Sequence, residues 1–75
     1  MSNVSKIELL NQLQSILKEI VEETKRQVNV YDALTHQVDN GVKLYLKTGE
    51  IPKMNDWTNS QRKLFRIYKK LFTIK

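Results

Sequence analysis

The chain has 75 residues, 40% of them apolar, no cysteine and a net charge of +5. This length provides for one small domain, and the lack of cysteine excludes disulfides and thiolate zinc sites as sources of stability. No apolar run approaches the roughly 18 residues of a membrane-spanning helix, and the N-terminus lacks the basic start and continuous apolar stretch of a signal peptide. We therefore expect a cytoplasmic protein with one domain over residues 1–75 and, because small cores are marginal, self-association into a homodimer.

Charge is divided unevenly along the chain. Residues 1–40 carry four cations and six carboxylates, a net charge of −2, whereas residues 41–75 carry nine cations and two carboxylates, a net charge of +7. Such an asymmetry indicates either an acidic binding partner or docking of one half of the protein on the other.

The N-terminal third predicts an amphipathic helix over residues 5–27. Ser5 and Glu8 have the spacing of a capping box, and Val4 and Leu9 are placed to form a hydrophobic staple around it. The apolar residues that follow recur at helical spacing and occupy one half of the helical wheel.

A second helix is predicted over residues 30–47, where apolar side chains again recur at helical spacing. Its end is marked by Gly49, in the position of a left-handed cap, and by Pro52 three residues later. Gly41 lies on the apolar stripe, where it costs on the order of 1 kcal/mol relative to alanine. We interpret this glycine as a point of close approach by a neighbouring helix.

The junction between these two helices has two interpretations. Heptad spacing continues through it, because Leu17, Thr24 and Tyr31 are seven residues apart, and no glycine or proline interrupts it. A long continuous helix in a coiled-coil dimer, followed by a short C-terminal helix, would satisfy that pattern. Against it, the polar Thr24 stands at a seam position and Asn29 resembles a new helix start. We therefore favour a break near residues 27–30.

A third helix is predicted over residues 58–73. Thr58 and Gln61 form a second capping box, preceded by Trp57. Trp57 lies on the same side as Leu64 and Tyr68, so we interpret it as a core residue. Together the three segments predict an all-α fold, a small three-helix antiparallel bundle.

The third helix has an unusual charge pattern, because its cations share one arc opposite its apolar half with no carboxylate among them. These cations are Arg62, Lys63, Arg66, Lys69 and Lys70. An ordinary solvated face mixes both signs and places Glu and Lys four residues apart. We therefore predict that this arc binds an acidic partner, with additional contacts from Lys43, Lys47 and Lys53.

Three kinds of partner compete with the plain interpretation of a solvated helix exterior. An acidic protein surface would satisfy the charges, and so would the glutamate-rich side of the first helix. Nucleic-acid phosphates would do so by counterion release, although no helix-turn-helix, zinc-finger or RNA-binding motif accompanies the helix. Its aromatic residues Phe65, Tyr68 and Phe72 are expected to belong to the core rather than to stack on bases. A membrane surface would accept it as an amphipathic anchor, although the helix would then leave the other two without its packing.

No catalytic, cofactor-binding or metal-binding residue is predicted. His36 has Asp32 and Asp39 at helical spacing but lacks a nucleophile and a pocket, so we interpret it as a surface histidine. The glutamates from Glu19 to Glu23 present too few ligands on one helix for a hard cation. With only two glycines, the chain has no glycine-rich phosphate loop.

The sequence therefore favours a small non-enzymatic regulatory or adaptor protein that binds an acidic protein partner through its basic C-terminal helix. The alternative is a nucleic-acid-binding protein that makes phosphate contacts through the same helix. A peripheral binder of membrane surfaces is the second alternative.

Overall fold

A computed structural model, which describes residues 6–73, contains three α-helices. They are α1 (Lys6–Glu23), α2 (Val28–Thr48) and α3 (Asn59–Thr73). Because α3 packs against both α1 and α2, and no strand occurs in the described range, the prediction of an all-α three-helix bundle is confirmed. Within residues 6–73, no helix has both the length and the apolar character needed to span a membrane.

The first two helices are separate, with the break at residues 24–27 rather than at 27–30. At the end of α1, the Arg26 N–H donates to the Val21 carbonyl (3.0 Å) and the Lys25 N–H donates to the Glu22 carbonyl (3.1 Å). This pair of hydrogen bonds defines the Schellman motif, in which the residue with the left-handed conformation is usually a glycine. Here Lys25 and Arg26 adopt positive φ angles of 54° and 62°.

The start of α2 differs from the prediction, because the helix begins at Val28 with Gln27 as its N-cap, and Asn29 lies inside it.

The predicted end of α2 and the predicted start of α3 are confirmed. Gly49 is a left-handed cap with a φ of 78°, and its N–H donates to the Tyr45 carbonyl. At the start of α3, the Gln61 N–H donates to the Thr58 hydroxyl (3.2 Å) and the Thr58 N–H donates to the Gln61 side-chain carbonyl (2.9 Å), which is a complete capping box. The capping box and staple predicted at Val4 and Ser5 lie outside the described residues.

The central helix of the fold is α3. Its N-terminal end lies beside the C-terminal end of α1, where the Ser60 hydroxyl donates to the Glu23 carboxylate (2.9 Å). Its C-terminal half lies beside the first turns of α1, where Lys70 shares a groove with Asn11 and Gln12. These two helices are therefore antiparallel. By contrast, α1 and α2 approach each other at few points, so both are held mainly by α3.

The core is formed by apolar side chains from all three helices and from the connection before α3. Its buried members are Leu9, Ile16, Ile20, Val38, Val42, Trp57, Leu64, Phe65 and Ile67.

The predicted core position of Trp57 is confirmed, and its ring packs edge-on against Phe65 with 6.0 Å between ring centres. A Cβ atom at Gly41 would lie 2.9 Å from the Trp57 ring and 3.1 Å from Pro52. The close approach predicted at Gly41 therefore exists, but the neighbour is the connection between α2 and α3, not another helix.

Candidate interaction surface

The five cations of α3 share the side of the helix that faces away from the core, as the 100° rotation per residue requires. We call this set the basic face: Arg62, Lys63, Arg66, Lys69 and Lys70. Four of them are exposed, and Lys69 is half-buried. Their partners within the protein differ, and this difference decides which of them can bind another molecule.

Two cations of the basic face hold other parts of the protein. The Arg62 guanidinium donates to the Met54 carbonyl (3.0 Å) and so fixes the connection between α2 and α3. The Lys69 ammonium lies 5.3 Å from the centre of the Tyr45 ring on α2, which is within the range of a cation–π interaction. Both side chains therefore already contact other elements of the protein.

Lys63 pairs with α1. Its ammonium lies 3.3 Å from a carboxylate oxygen of Glu19. The same end of α1 accepts hydrogen bonds from the buried Ser60 hydroxyl, through Glu19 (3.3 Å) and Glu23 (2.9 Å). Part of the charge asymmetry is therefore satisfied within the chain, although an exposed pair of this kind stabilises by only about 0.2–1 kcal/mol.

Arg66 and Lys70 have no such partner. Both are exposed, and neither forms an ion pair with a carboxylate in the described part of the chain. They are one helical turn apart, so two like charges stand side by side, which is mildly unfavourable in an isolated helix. These two residues are the part of the basic face that is open to an external anion.

A groove runs beside Arg66 and Lys70, between α1 and α3, with a volume of about 440 Å³. Its floor contains the buried side chains of Ile16 and Ile67. We call this the α1–α3 groove. Its lining residues are Asn11, Gln12, Ser15, Ile16, Lys63, Arg66, Ile67 and Lys70, with no carboxylate among them.

Two of the three additional cations do not extend the basic face. Lys43 and Lys47 are exposed on α2, and helical periodicity places them opposite the buried residues of that helix. Lys53 is exposed in the connection before α3, next to Met54, whose carbonyl accepts a hydrogen bond from Arg62 of the basic face.

The aromatic residues of α3 differ in exposure. Phe65 is buried and Tyr68 is half-buried, but 59% of Phe72 is exposed. The expectation that all three belong to the core is therefore wrong for Phe72, because neither α1 nor α2 covers the last turn of α3 on that side. Burial raises the pKa of Tyr68 above its ordinary value of 10.0, and the nearby Asp39 carboxylate and Tyr31 add to that shift.

The residues considered for catalysis or metal binding lie on α1 and α2. His36 is exposed, and no group of three or more histidine, aspartate or glutamate side chains within residues 6–73 is arranged to hold a metal ion. The glutamates at the end of α1 already have partners, since Glu22 pairs with Arg26 (3.8 Å) and Glu19 pairs with Lys63.

Sequence patterns missed some important polar residues. Gln61 is fully buried, and its side-chain amide donates to the Gln37 side chain (2.7 Å) and to the Leu34 carbonyl (3.2 Å). Its spacing to Thr58 predicted the capping role but not this contact with α2. The polar wall of the α1–α3 groove, formed by Asn11, Gln12 and Ser15, had no sequence signal, because the rotation of α1 against α3 is set by packing.

The chain was compared with protein-family models, with curated proteins and with solved structures, and none of the three comparisons gives a match.

Proposed function

We propose that this protein is a small non-enzymatic binding module that recognises an acidic protein surface through the basic face of α3. The observation that supports this proposal most directly is the state of Arg66 and Lys70, which are exposed, adjacent and without a carboxylate partner among the described residues. An acidic partner would relieve the repulsion between them and form charge-assisted hydrogen bonds.

An acidic protein suits this surface better than a nucleic acid does. A phosphate backbone would run along a row of cations, but Arg62 and Lys69 are already engaged with Met54 and Tyr45. At the N-terminal end of the row, the carboxylate of Glu19 lies against Lys63 and would repel a polyanion. Protein interfaces need only a few well-placed charges, because neutral polar and apolar contacts contribute the remainder.

One observation favours nucleic-acid binding as a second candidate. Phe72 is 59% exposed at the C-terminal end of α3, close in sequence to Lys69 and Lys70, with its ring centre 6.0 Å from that of Tyr68. An exposed aromatic ring beside cations is the arrangement on which single-stranded nucleic acids stack their bases.

Membrane binding by α3 is the weakest candidate. An amphipathic helix binds a lipid surface through its apolar half. In this structure that half contributes Leu64, Phe65 and Ile67 to the core, so membrane insertion would require α3 to separate from both other helices.

The test is a fluorescence anisotropy titration with two probes, a labelled peptide of alternating Glu and Asp residues and a labelled DNA in single-stranded and duplex forms. The variant with Arg66→Gln and Lys70→Gln is compared with a matched variant, Lys43→Gln and Lys47→Gln, which has the same net charge. We expect the peptide to bind the wild type and the matched variant equally, and the Arg66/Lys70 variant at least about tenfold more weakly, because two charge-assisted contacts are lost.

Salt dependence separates the two candidates. If five phosphates were neutralised, the logarithm of the DNA affinity would fall with the logarithm of salt concentration with a slope of about −4.5. DNA binding with such a slope, together with no binding of the acidic peptide, would overturn the proposal in favour of a nucleic-acid surface. Equal losses in both double variants would show that net charge alone, not the basic face, determines binding.

A further inference from the structure

The α1–α3 groove differs from the rest of the basic face because it has an apolar floor. Ile16 and Ile67 are 7% and 5% exposed, and the groove above them measures about 440 Å³. That volume is within the range of about 300–1,000 Å³ found for sites that bind small ligands. The groove can therefore hold an apolar side chain of a partner, in addition to an acidic group bound by the cations beside it.

The two walls of the groove have different chemistry. On the α1 side, Asn11, Gln12 and Ser15 are exposed and neutral, and their side chains make no hydrogen bond to another described residue. Amides and hydroxyls can donate and accept hydrogen bonds, which is what the N–H and carbonyl groups of a peptide backbone require.

The α3 wall is cationic, and it is divided along its length. At one end Lys63 is paired with Glu19 (3.3 Å), whereas further along the helix Arg66 and Lys70 are unpaired within residues 6–73. A carboxylate of a ligand is therefore attracted to the Arg66 and Lys70 end. The Arg66 guanidinium can form two parallel hydrogen bonds to such a group.

From this arrangement we infer that the α1–α3 groove binds an extended acidic segment of the partner protein. One apolar side chain of the segment packs over Ile16 and Ile67, a neighbouring carboxylate binds Arg66 and Lys70, and its backbone bonds to the polar wall. An extended segment fits better than a helix, because a helix uses its backbone groups internally and would leave the polar wall without partners. This inference rests on the proposed function.

The experiment uses two labelled peptides with the same charge. Both are rich in Glu and Asp, but one has a central leucine where the other has a serine. Binding is measured to the wild type, to a groove-filling variant, Ser15→Trp, and to a control, Gln14→Trp, which places the same side chain at an exposed α1 position outside the groove lining. Circular dichroism establishes that both variants fold.

We expect the leucine peptide to bind the wild type at least about tenfold more tightly than the serine peptide, since one leucine side chain would leave water. Ser15→Trp should remove this preference, and Gln14→Trp should retain it. Equal binding of both peptides, unchanged by Ser15→Trp, would overturn the groove inference but leave the proposed function intact. No binding of either peptide to the wild type would overturn both.

A separate observation concerns the junction at residues 24–27. Lys25 and Arg26 hold left-handed conformations, which are unfavourable for residues with a side chain. Gln27, the N-cap of α2, makes no side-chain capping hydrogen bond. Lysine, arginine and glutamine are all good helix formers. The helix propensities of residues 25–27 therefore favour a continuous helix, although the structure has a turn there.

The packing explains what opposes that preference. Straightening the junction would separate α1 from α3, the helix against which it packs, whereas it would break few contacts between α1 and α2. A second copy can supply the same α3 surface, including Ser60 and Lys63 for the glutamates of α1. We propose that the chain can exchange α1 between two copies, in a dimer whose α1 and α2 form one continuous helix.

Two pairs of substitutions at the same positions test the exchange. Lys25→Gly with Arg26→Gly favours the turn, and Lys25→Ala with Arg26→Ala favours the continuous helix. We expect the dissociation constant of the dimer, measured by light scattering across a concentration series, to be at least about a hundredfold lower for the alanine pair. A dimer of equal stability in both pairs, or a monomer in both at millimolar concentration, would overturn this proposal.

Cross-linking shows whether the helix itself is exchanged. Because the chain has no cysteine, Glu19→Cys with Lys63→Cys introduces one pair at the contact between α1 and α3. A short thiol-specific cross-linker should join the two cysteines within one chain in the monomer and between two chains in the exchanged dimer. Cross-links only within one chain, in a sample that is dimeric by light scattering, would contradict the exchange.

Discussion

The two connections of this fold end their helices with the same backbone conformation but with different residues. After α2, Gly49 has a φ of 78°, and a Cβ atom added there would meet no other atom within 4 Å. After α1, Lys25 and Arg26 have φ angles of 54° and 62°, in a region where an L-residue costs roughly 1–2 kcal/mol. The turn after α2 therefore has a residue suited to its conformation, whereas the turn after α1 has residues that its conformation disfavours.

The longer connection also contributes to the core. Trp57 and Pro52 lie against the bare Cα of Gly41, and Thr58 caps α3 through Gln61. Residues 24–27 make a smaller contribution, the buried Thr24, whose hydroxyl bonds to the Val21 carbonyl. The comparison shows that the length of a connection does not determine how strongly its conformation is fixed. The ten-residue connection is fixed by its packing against the core, and the four-residue connection is held by the helices on either side.

Trp57→Ala should have the largest effect on stability. Removing a buried aromatic side chain costs about 3–5 kcal/mol, and this one covers Gly41 and meets Phe65 edge-on. For a chain of this size, that loss approaches the whole free energy of unfolding. We expect the variant to be largely unfolded at 25 °C by circular dichroism, with Trp57→Phe retaining the fold. A urea midpoint close to that of the wild type would show that the connection is not part of the core.

Gln61→Ala comes next. The substitution removes half of the capping box and the bonds to Gln37 and Leu34, and each lost bond costs about 0.5–1.5 kcal/mol. We expect a loss of about 2–3 kcal/mol in urea unfolding. As a control, Thr58→Ala removes only the cap, so its cost should be about 1 kcal/mol. Equal costs would mean that the bonds from Gln61 to α2 contribute nothing.

Gln61 also shows how far the sequence could predict this molecule. The three helices, the Gly49 cap and the box with Thr58 depend on neighbours in the chain, and periodicity and capping rules predicted them. The contact with Gln37 joins residues that are 24 positions apart, and no local pattern specifies which helix faces meet.

The same limit applies to the basic face. Periodicity predicted that its five cations share one side of α3, and the charge pattern offered the glutamates of α1 as one alternative partner. Neither specified that Glu19 would pair with Lys63 or that Met54 would engage Arg62. Those pairings depend on how α1 and the long connection lie against α3. As a result, the sequence did not show which cations of the basic face remain unpaired, and in the described part of the chain these are Arg66 and Lys70.

Gly49→Ala tests the turn after α2, in which a glycine has the left-handed conformation. A Cβ atom there would meet no other atom within 4 Å, so the only cost is the left-handed conformation, about 1 kcal/mol. We expect the urea midpoint to fall with no change in the slope of unfolding. Gly41→Ala is the contrasting case, because its Cβ atom would clash with Trp57. If Gly49→Ala were neutral, the conformational penalty assumed for Lys25 and Arg26 would be too large as well.

Lys25→Gly should have the smallest effect and the opposite sign. Glycine removes the left-handed penalty of about 1–2 kcal/mol at this position, but it also increases the entropy of the unfolded chain, which returns about 0.4–1 kcal/mol. The net result should be a stabilisation of about 0.5–1 kcal/mol, read as a higher urea midpoint at a fixed, low protein concentration. Lys18→Gly, in the middle of α1, should instead destabilise by about 1 kcal/mol. If both glycines destabilised the protein equally, position 25 would behave as ordinary helix, and the turn after α1 would not be the strained member of the pair.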